Sequence, residues 1–83
     1  MTDQKILVYG TKWCPDCTRA KGIFNKLNIA FEWFDTDLDK DARAFVIEKN
    51  HGYCSVPTII FPDGTYLTEP SSSALESKLK SML

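Results

Sequence analysis

The chain has no long hydrophobic run. No apolar stretch in its 83 residues approaches the roughly 18 needed to span a bilayer. It also lacks a surplus of one charge. Ten Lys and Arg against eleven Asp and Glu leave a net charge of −1, which gives no broad field to draw nucleic acid or an anionic membrane surface. Histidine occurs once and cysteine three times, so no disulfide-dense scaffold compensates for small size. Repeats, low-complexity tracts and linkers are missing. The apolar part of "MTDQKILVYG" is too short for a signal peptide. These absences lead to the expectation of a cytoplasmic protein with reduced thiols, a single domain over residues 1–83, and no partner among nucleic acids or membranes.

Within those bounds, 43% hydrophobic and 25% charged residues describe an ordinary globular composition. "KILVY" (5–9) reads as a buried strand. Ala20, Ile23, Phe24 and Leu27 then form one stripe of an amphipathic helix, opened by Pro15 at its first position. "AFEWFD" (30–35) is a second strand on its aromatic content. Leu38, Ala42, Phe45 and Val46 mark a second helix, N-capped by Asp37 or Asp39 and closed by Asn50 and Gly52. "VPTIIF" (56–61), the turn "PDG" (62–64) and "TYLT" (65–68) make a hairpin. Ser71 to Ser73 cap a last helix that carries Leu75, Leu79 and Met82, and Ser73 with Glu76 matches a capping box. The order β-α-β-α-β-β-α predicts a four-stranded mixed α/β sheet with helices on both faces. Strands joined by helices are expected to pair in parallel, and the hairpin adds an antiparallel edge.

The chemistry sits in "GTKWCPDCTRAK" (10–21). A thiolate, not a thiol, is the nucleophile, and a free cysteine with a pKa of about 8.5 is only a few per cent ionised at pH 7. With Pro15 at the first helical position, Cys14 becomes the N-cap. Its sulfur then accepts the orphan amides at the helix start, with the positive end of the dipole behind them. Each pKa unit requires about 1.4 kcal/mol of selective thiolate stabilisation; cap and dipole together supply one or two such units, and Lys12 adds to them. Cys17 lies one turn on, further from the terminus and more covered. Cys14 is therefore expected to attack and Cys17 to resolve. A C-x-x-C at a strand-to-helix junction is a redox signature, whereas two buried structural cysteines fit poorly with the exposed "GTK" and Asp16 around them.

Other constellations compete. Cys14, Cys17, His51 and Cys54 nominally make a zinc set, but Pro15 would sit inside the knuckle and the apolar pattern makes a core without metal. "DTDLDKD" (35–41) fails as a calcium loop, because Lys40 stands where glycine is needed and Val46 where a bidentate glutamate is needed. His51 reads as a helix-end residue, and Phe31, Trp33 and Phe34 as sheet core. Trp13 is expected to wall off the thiolate or to touch substrate. Cys54 is either a small loop residue or a third redox participant, if folding brings residues 54–57 near Cys14. A non-enzymatic interaction domain stays open as well, and would keep its function without the Cys14 sulfur.

"WCPDCTRAK" resembles the C-P-x-C-x-x-x-K segment of the glutaredoxins, and "SVPTIIF" resembles their T-V-P-x-(I/V)-F segment. "FPDGTYLTEPSSSALESKL" is similar to the C-terminal part of mycoredoxins, the branch that works with mycothiol. The resemblance implies a thioredoxin-like fold of strand order 2-1-3-4, with Pro57 in a cis peptide bond facing the active site. It implies that Val56 offers its backbone to the thiol substrate as an added strand. It also implies that Lys12 and Ser71 border the small-thiol site. Asp16 stands where common glutaredoxins have an aromatic residue, and "TEPSS" where they have Gly-Gly-x-Asp. The acid beside Cys14 is expected to make the dithiol more reducing. Both departures lean toward mycothiol over glutathione; a thioredoxin-like donor to a protein such as a ribonucleotide reductase also tolerates them. The implied enzyme is a monomeric thiol–disulfide oxidoreductase with a low-molecular-weight thiol as co-substrate and disulfide-bearing proteins, with a thiol reductase, as partners. No metal or prosthetic group is required, although some members bridge an iron–sulfur cluster.

Overall fold

The computed structural model describes residues 5–82; of the expected domain, residues 1–4 and 83 lie outside that range. Seven elements follow in the expected order: β1 (Leu7–Gly10), α1 (Pro15–Lys26), β2 (Glu32–Asp35), α2 (Lys40–Lys49), β3 (Thr58–Ile60), β4 (Tyr66–Thr68) and α3 (Ser72–Lys80). They build one four-stranded sheet of order β2-β1-β3-β4.

Alternation along β1 divides the core into two layers, because successive strand side chains point to opposite faces. Ile6 and Val8 face α1 and α3 and pack with Ala20, Phe24, Ile59, Phe61, Leu75 and Leu79. Leu7 and Tyr9 face α2 and pack with Ala42, Phe45, Val46 and Phe34. The Tyr9 ring stacks on Phe34 at 4.9 Å between centroids and meets Phe45 at 5.0 Å. Helices therefore cover both faces, with α1 and α3 together on one and α2 on the other.

Strand direction departs from the expectation in one place. β1 and β2 are parallel, with Gly10 opposite Asp35. β3, however, runs antiparallel to β1 although α2 precedes it, with Tyr9 opposite Thr58. The 51–57 loop after α2 brings the chain back to the sheet end from which α2 started, so β3 runs back down. β4 pairs antiparallel with β3, as the hairpin predicts.

Four local expectations also change. Leu38 is 76% exposed and precedes α2, because Asp39 takes the N-cap and its Oδ1 accepts the Asp41 and Ala42 amides at 3.0 and 3.1 Å. Of Ser71 to Ser73, expected to cap α3, Ser71 does so, its Oγ accepting the Ala74 amide at 3.1 Å. Glu76 is thereby free of the expected box with Ser73, and it accepts from Lys26 Nζ at 2.6 Å, tying α3 to α1. Met82 lies past α3 and is 40% exposed. The strand expected over 56–61 is shorter: β3 spans only Thr58–Ile60, and the Val56–Pro57 bond ahead of it is cis.

Candidate active site

Strand register gathers four loops at one end of the sheet. β1 and β2 are parallel, so residues 11–14 and 36–39 leave from the same end; β3 is antiparallel, so residues 54–57 enter there. β4 delivers residues 69–71 to that end, where the Glu69 amide donates to the Pro57 carbonyl at 2.8 Å. The cis proline expected from the resemblance is present, fully buried, at this end.

Cys14 is the N-cap of α1, with φ −84° and ψ 116°, and Pro15 follows at the first helical position. Its sulfur accepts the Cys17 amide at 3.4 Å. An amide with no partner within the helix thus points at the sulfur, which sits at the positive end of the helix dipole. Cys14 is 8% exposed and Cys17 0%, so of the two only Cys14 meets solvent. This is the asymmetry the spacing suggested.

Cys17 is packed into a cradle. A Cβ added at Gly10 would lie 2.6 Å from the Cys17 sulfur and 2.8 Å from the Trp33 ring, so the absence of a side chain at Gly10 lets the thiol and the indole close over the end of β1. Burial pushes the Cys17 thiol up to about 12; the Thr11 backbone N–H works against this, the neighbouring Cys14 adds to it, and the Lys21 charge opposes it. In the resting dithiol Cys17 is a proton-bearing thiol. Thr11 is itself buried, and its hydroxyl has no hydrogen-bond partner among the described residues.

The remaining expected residues divide. Asp16 forms an ion pair with Arg19 at 2.9 Å, both side chains about half exposed; this offsets the bare negative charge expected beside Cys14. Trp13 is 73% exposed, and its indole N–H donates to Asp37 Oδ2 at 2.8 Å. Most of the ring therefore faces solvent at the loop before Cys14. Lys12 is exposed and Val56 half-buried. Cys54 packs on the α2 side against the Tyr9–Ala42–Val46 cluster, and Arg43 Nη1 donates to its sulfur at 3.5 Å. Among the described residues no three His, Cys, Asp or Glu side chains come together where they could hold a metal ion, so Cys14, Cys17, His51 and Cys54 do not assemble into the zinc set.

Residues 6–67 match the family model described as glutaredoxin. The chain belongs to the glutaredoxin family. Over 79 residues this glutaredoxin is 35% identical to a Mycobacterium tuberculosis protein assigned as a glutaredoxin, covering 95% of this chain and 94% of that one. It is 31% identical to Mycoredoxin 1 of Corynebacterium glutamicum, covering 93% and 95%. The solution structure of a Brucella melitensis glutaredoxin superposes with a TM-score of 0.74 at 25% identity, covering 96% and 88%. A thioredoxin-like protein crystal structure does so with 0.74 at 32% identity, covering 95% and 100%. Thiol–disulfide oxidoreductase activity follows from this membership, and with it small thiols and protein disulfides as the general classes of partner. No helix among the described residues is long and apolar enough to cross a membrane.

Three features of this glutaredoxin's site were missed in the sequence: the Gly10 cradle, the Trp13–Asp37 bond and the Lys21–Trp33 stack, with Lys21 Nζ 3.9 Å from the ring centroid. Only Lys21 carried a local signal, standing four residues after Cys17 on the same helix face.

Proposed function

We propose that Cys14 is the nucleophile of a reaction that reduces mixed disulfides between proteins and a low-molecular-weight thiol. The Cys14 thiolate attacks one sulfur of the disulfide, a new Cys14–sulfur bond forms, and the other sulfur leaves with the electron pair. A second small thiol then frees Cys14, or Cys17 attacks Cys14 and closes a Cys14–Cys17 disulfide that a small thiol or a reductase reopens. The observation that carries this reading is the Cys14 sulfur at the mouth of α1, accepting the Cys17 amide. Metal and prosthetic groups have no part in these steps.

The proposed co-substrate is mycothiol rather than glutathione. Likeness to Mycoredoxin 1 supports this, as does "TEPSS" in place of the Gly-Gly-x-Asp stretch. In this reading the Val56 backbone, beside buried Pro57, receives the substrate as an added strand, while Lys12, exposed Trp13 and Ser71 border the small thiol. The Ser71 hydroxyl already accepts the Ala74 amide, which leaves its O–H and second lone pair for a substrate group. Pro15 fixes the helix start and Asp16, paired to Arg19, tempers the charge beside the thiolate. The cytoplasm, where thiols are kept reduced, is the proposed location, with the protein working as a monomer.

Mixed disulfides of mycothiol and of glutathione, offered to the wild type, Cys14→Ser and Cys17→Ser, test the reading. Turnover is expected to vanish in Cys14→Ser and to favour the mycothiol substrate in the wild type. Retention of turnover in Cys14→Ser overturns the mechanism; a preference for glutathione overturns the co-substrate. Turnover with neither, alongside rapid reduction of a protein disulfide, would favour the thioredoxin-like donor.

A further inference from the structure

Lys21 has no part in the reaction described above, yet the fold docks it on the ring that converges with the resolving sulfur on Gly10. It follows Cys17 by four residues, so both side chains lie on one face of α1. Its Nζ sits 3.9 Å from the centroid of the Trp33 ring, a cation–π distance. The same ring and the Cys17 sulfur converge on Gly10, where an added Cβ would meet them at 2.8 and 2.6 Å. Trp33 thus bridges the two: one part of the indole closes the cradle around Cys17, and its face carries the Lys21 ammonium.

We propose that Lys21, docked on Trp33, is the positioning residue for the resolving half-reaction, holding positive charge beside the Cys17 sulfur as that sulfur becomes an anion. The inference rests on the dithiol route proposed above. In that step Cys17 gives its proton to water, and the thiolate attacks Cys14 Sγ. The Cys14–small-thiol bond breaks, and the small thiol leaves as a thiolate carrying the electron pair. Negative charge must appear on a fully buried sulfur, so a cation held near it favours that anion alongside the Thr11 backbone N–H.

The groups that face Cys17 are few. From its own helix, Cys14 and Lys21 act on it; the Thr11 backbone N–H reaches it from the end of β1; β2 presents the uncharged Trp33 ring. Asp16 and Arg19, on the same helix, are engaged with each other. Once Cys14 is blocked as a mixed disulfide it no longer competes as a second thiol, and Lys21 remains the charge that favours the Cys17 anion. Its stack on Trp33 keeps the long side chain from wandering into solvent.

The test uses an aromatic disulfide, 5,5′-dithiobis(2-nitrobenzoate), with the reduced Cys54→Ser protein in stopped flow. Cys14 attack releases one coloured thiolate; Cys17 attack on the resulting adduct releases the second. Lys21→Met is expected to leave the first phase within about twofold. It should slow the second roughly three- to tenfold at pH 7, the range for one charge at a partly screened separation, with the pH profile of that phase moved to higher pH. Lys21→Arg, which keeps charge and stacks on aromatic faces, is expected to restore the second phase. An unchanged second phase in Lys21→Met, or an equal loss in Lys21→Arg, overturns the proposal. So does a Cys54→Ser parent with a first phase and no second. Absence of both phases instead overturns the role of Cys14.

Discussion

Adding one methyl group at Gly10 tests the site from its floor. In Gly10→Ala the new Cβ would stand 2.6 Å from the Cys17 sulfur and 2.8 Å from Trp33, where ordinary contact begins at 3.4 Å. At least one of the two must retreat by most of an ångström. Neither retreats easily: Cys17 is held, fully buried, in the first turn of α1, and Trp33 by its register opposite Val8. Overpacking of this kind costs about 1–3 kcal/mol, which for a domain of this size lowers Tm by roughly 5–20 °C. Urea titration followed by circular dichroism reads the loss. Repeating it in a Cys17→Ala background assigns the cause. Removing the sulfur relieves the shorter of the two clashes, so the double variant should recover about 1 kcal/mol relative to the sum of the single changes. Additive effects, or a Gly10→Ala loss below about 0.5 kcal/mol, would refute the close packing of thiol, indole and backbone on which the account of Cys17 depends.

Two further outcomes test the parts that carry the site. Asn50 clamps the hairpin to α2: its Nδ2 donates to the Val46 carbonyl at 2.9 Å and to Thr58 Oγ1 at 3.1 Å, and its Oδ1 accepts from Thr68 at 2.7 Å. Asn50→Ala leaves half-buried hydroxyls short of partners and should cost about 1–3 kcal/mol in urea unfolding; a loss within error of zero would show that water replaces the clamp. At the far end of the hairpin, the Lys78 ammonium, 2.8 Å away, and the Thr65 hydroxyl hold the Asp63 carboxyl well below the usual carboxylate range. Because the folded-state value is depressed, the pair's contribution is complete above the unfolded value and fades as pH falls toward the folded one. Lys78→Gln should return Asp63 part of the way toward an ordinary carboxylate in a carboxyl carbon-13 NMR titration, and an unmoved titration would remove Lys78 as the cause.

Much of the molecule follows from local sequence. Pro15 after Cys14 is enough to start α1 and put a sulfur on its N-cap, because both depend only on neighbouring backbone groups. The stripe of Ala20, Phe24 and Leu27 and the alternation of Ile6 to Tyr9 likewise assign faces without knowledge of what covers them. Local signals were weaker where near-equal choices compete: only the structure picked Ser71 out of Ser71 to Ser73 as the cap, and Asp39 ended the reach of Leu38 into α2, since several adjacent polar residues offer similar caps.

Tertiary structure alone decided the rest. Whether β3 ran with or against β1 depended on the path of a loop, and propensity says nothing about that. Cys54 and Cys17 are both thiols in the sequence; one became half-buried beside Arg43 under α2, the other sealed against Gly10 and Trp33. The physical reason is range. Caps, turns and amphipathic stripes are written by contacts within about one helical turn, whereas the environment of a buried sulfur is set by residues from distant strands, and these meet only after the sheet has closed.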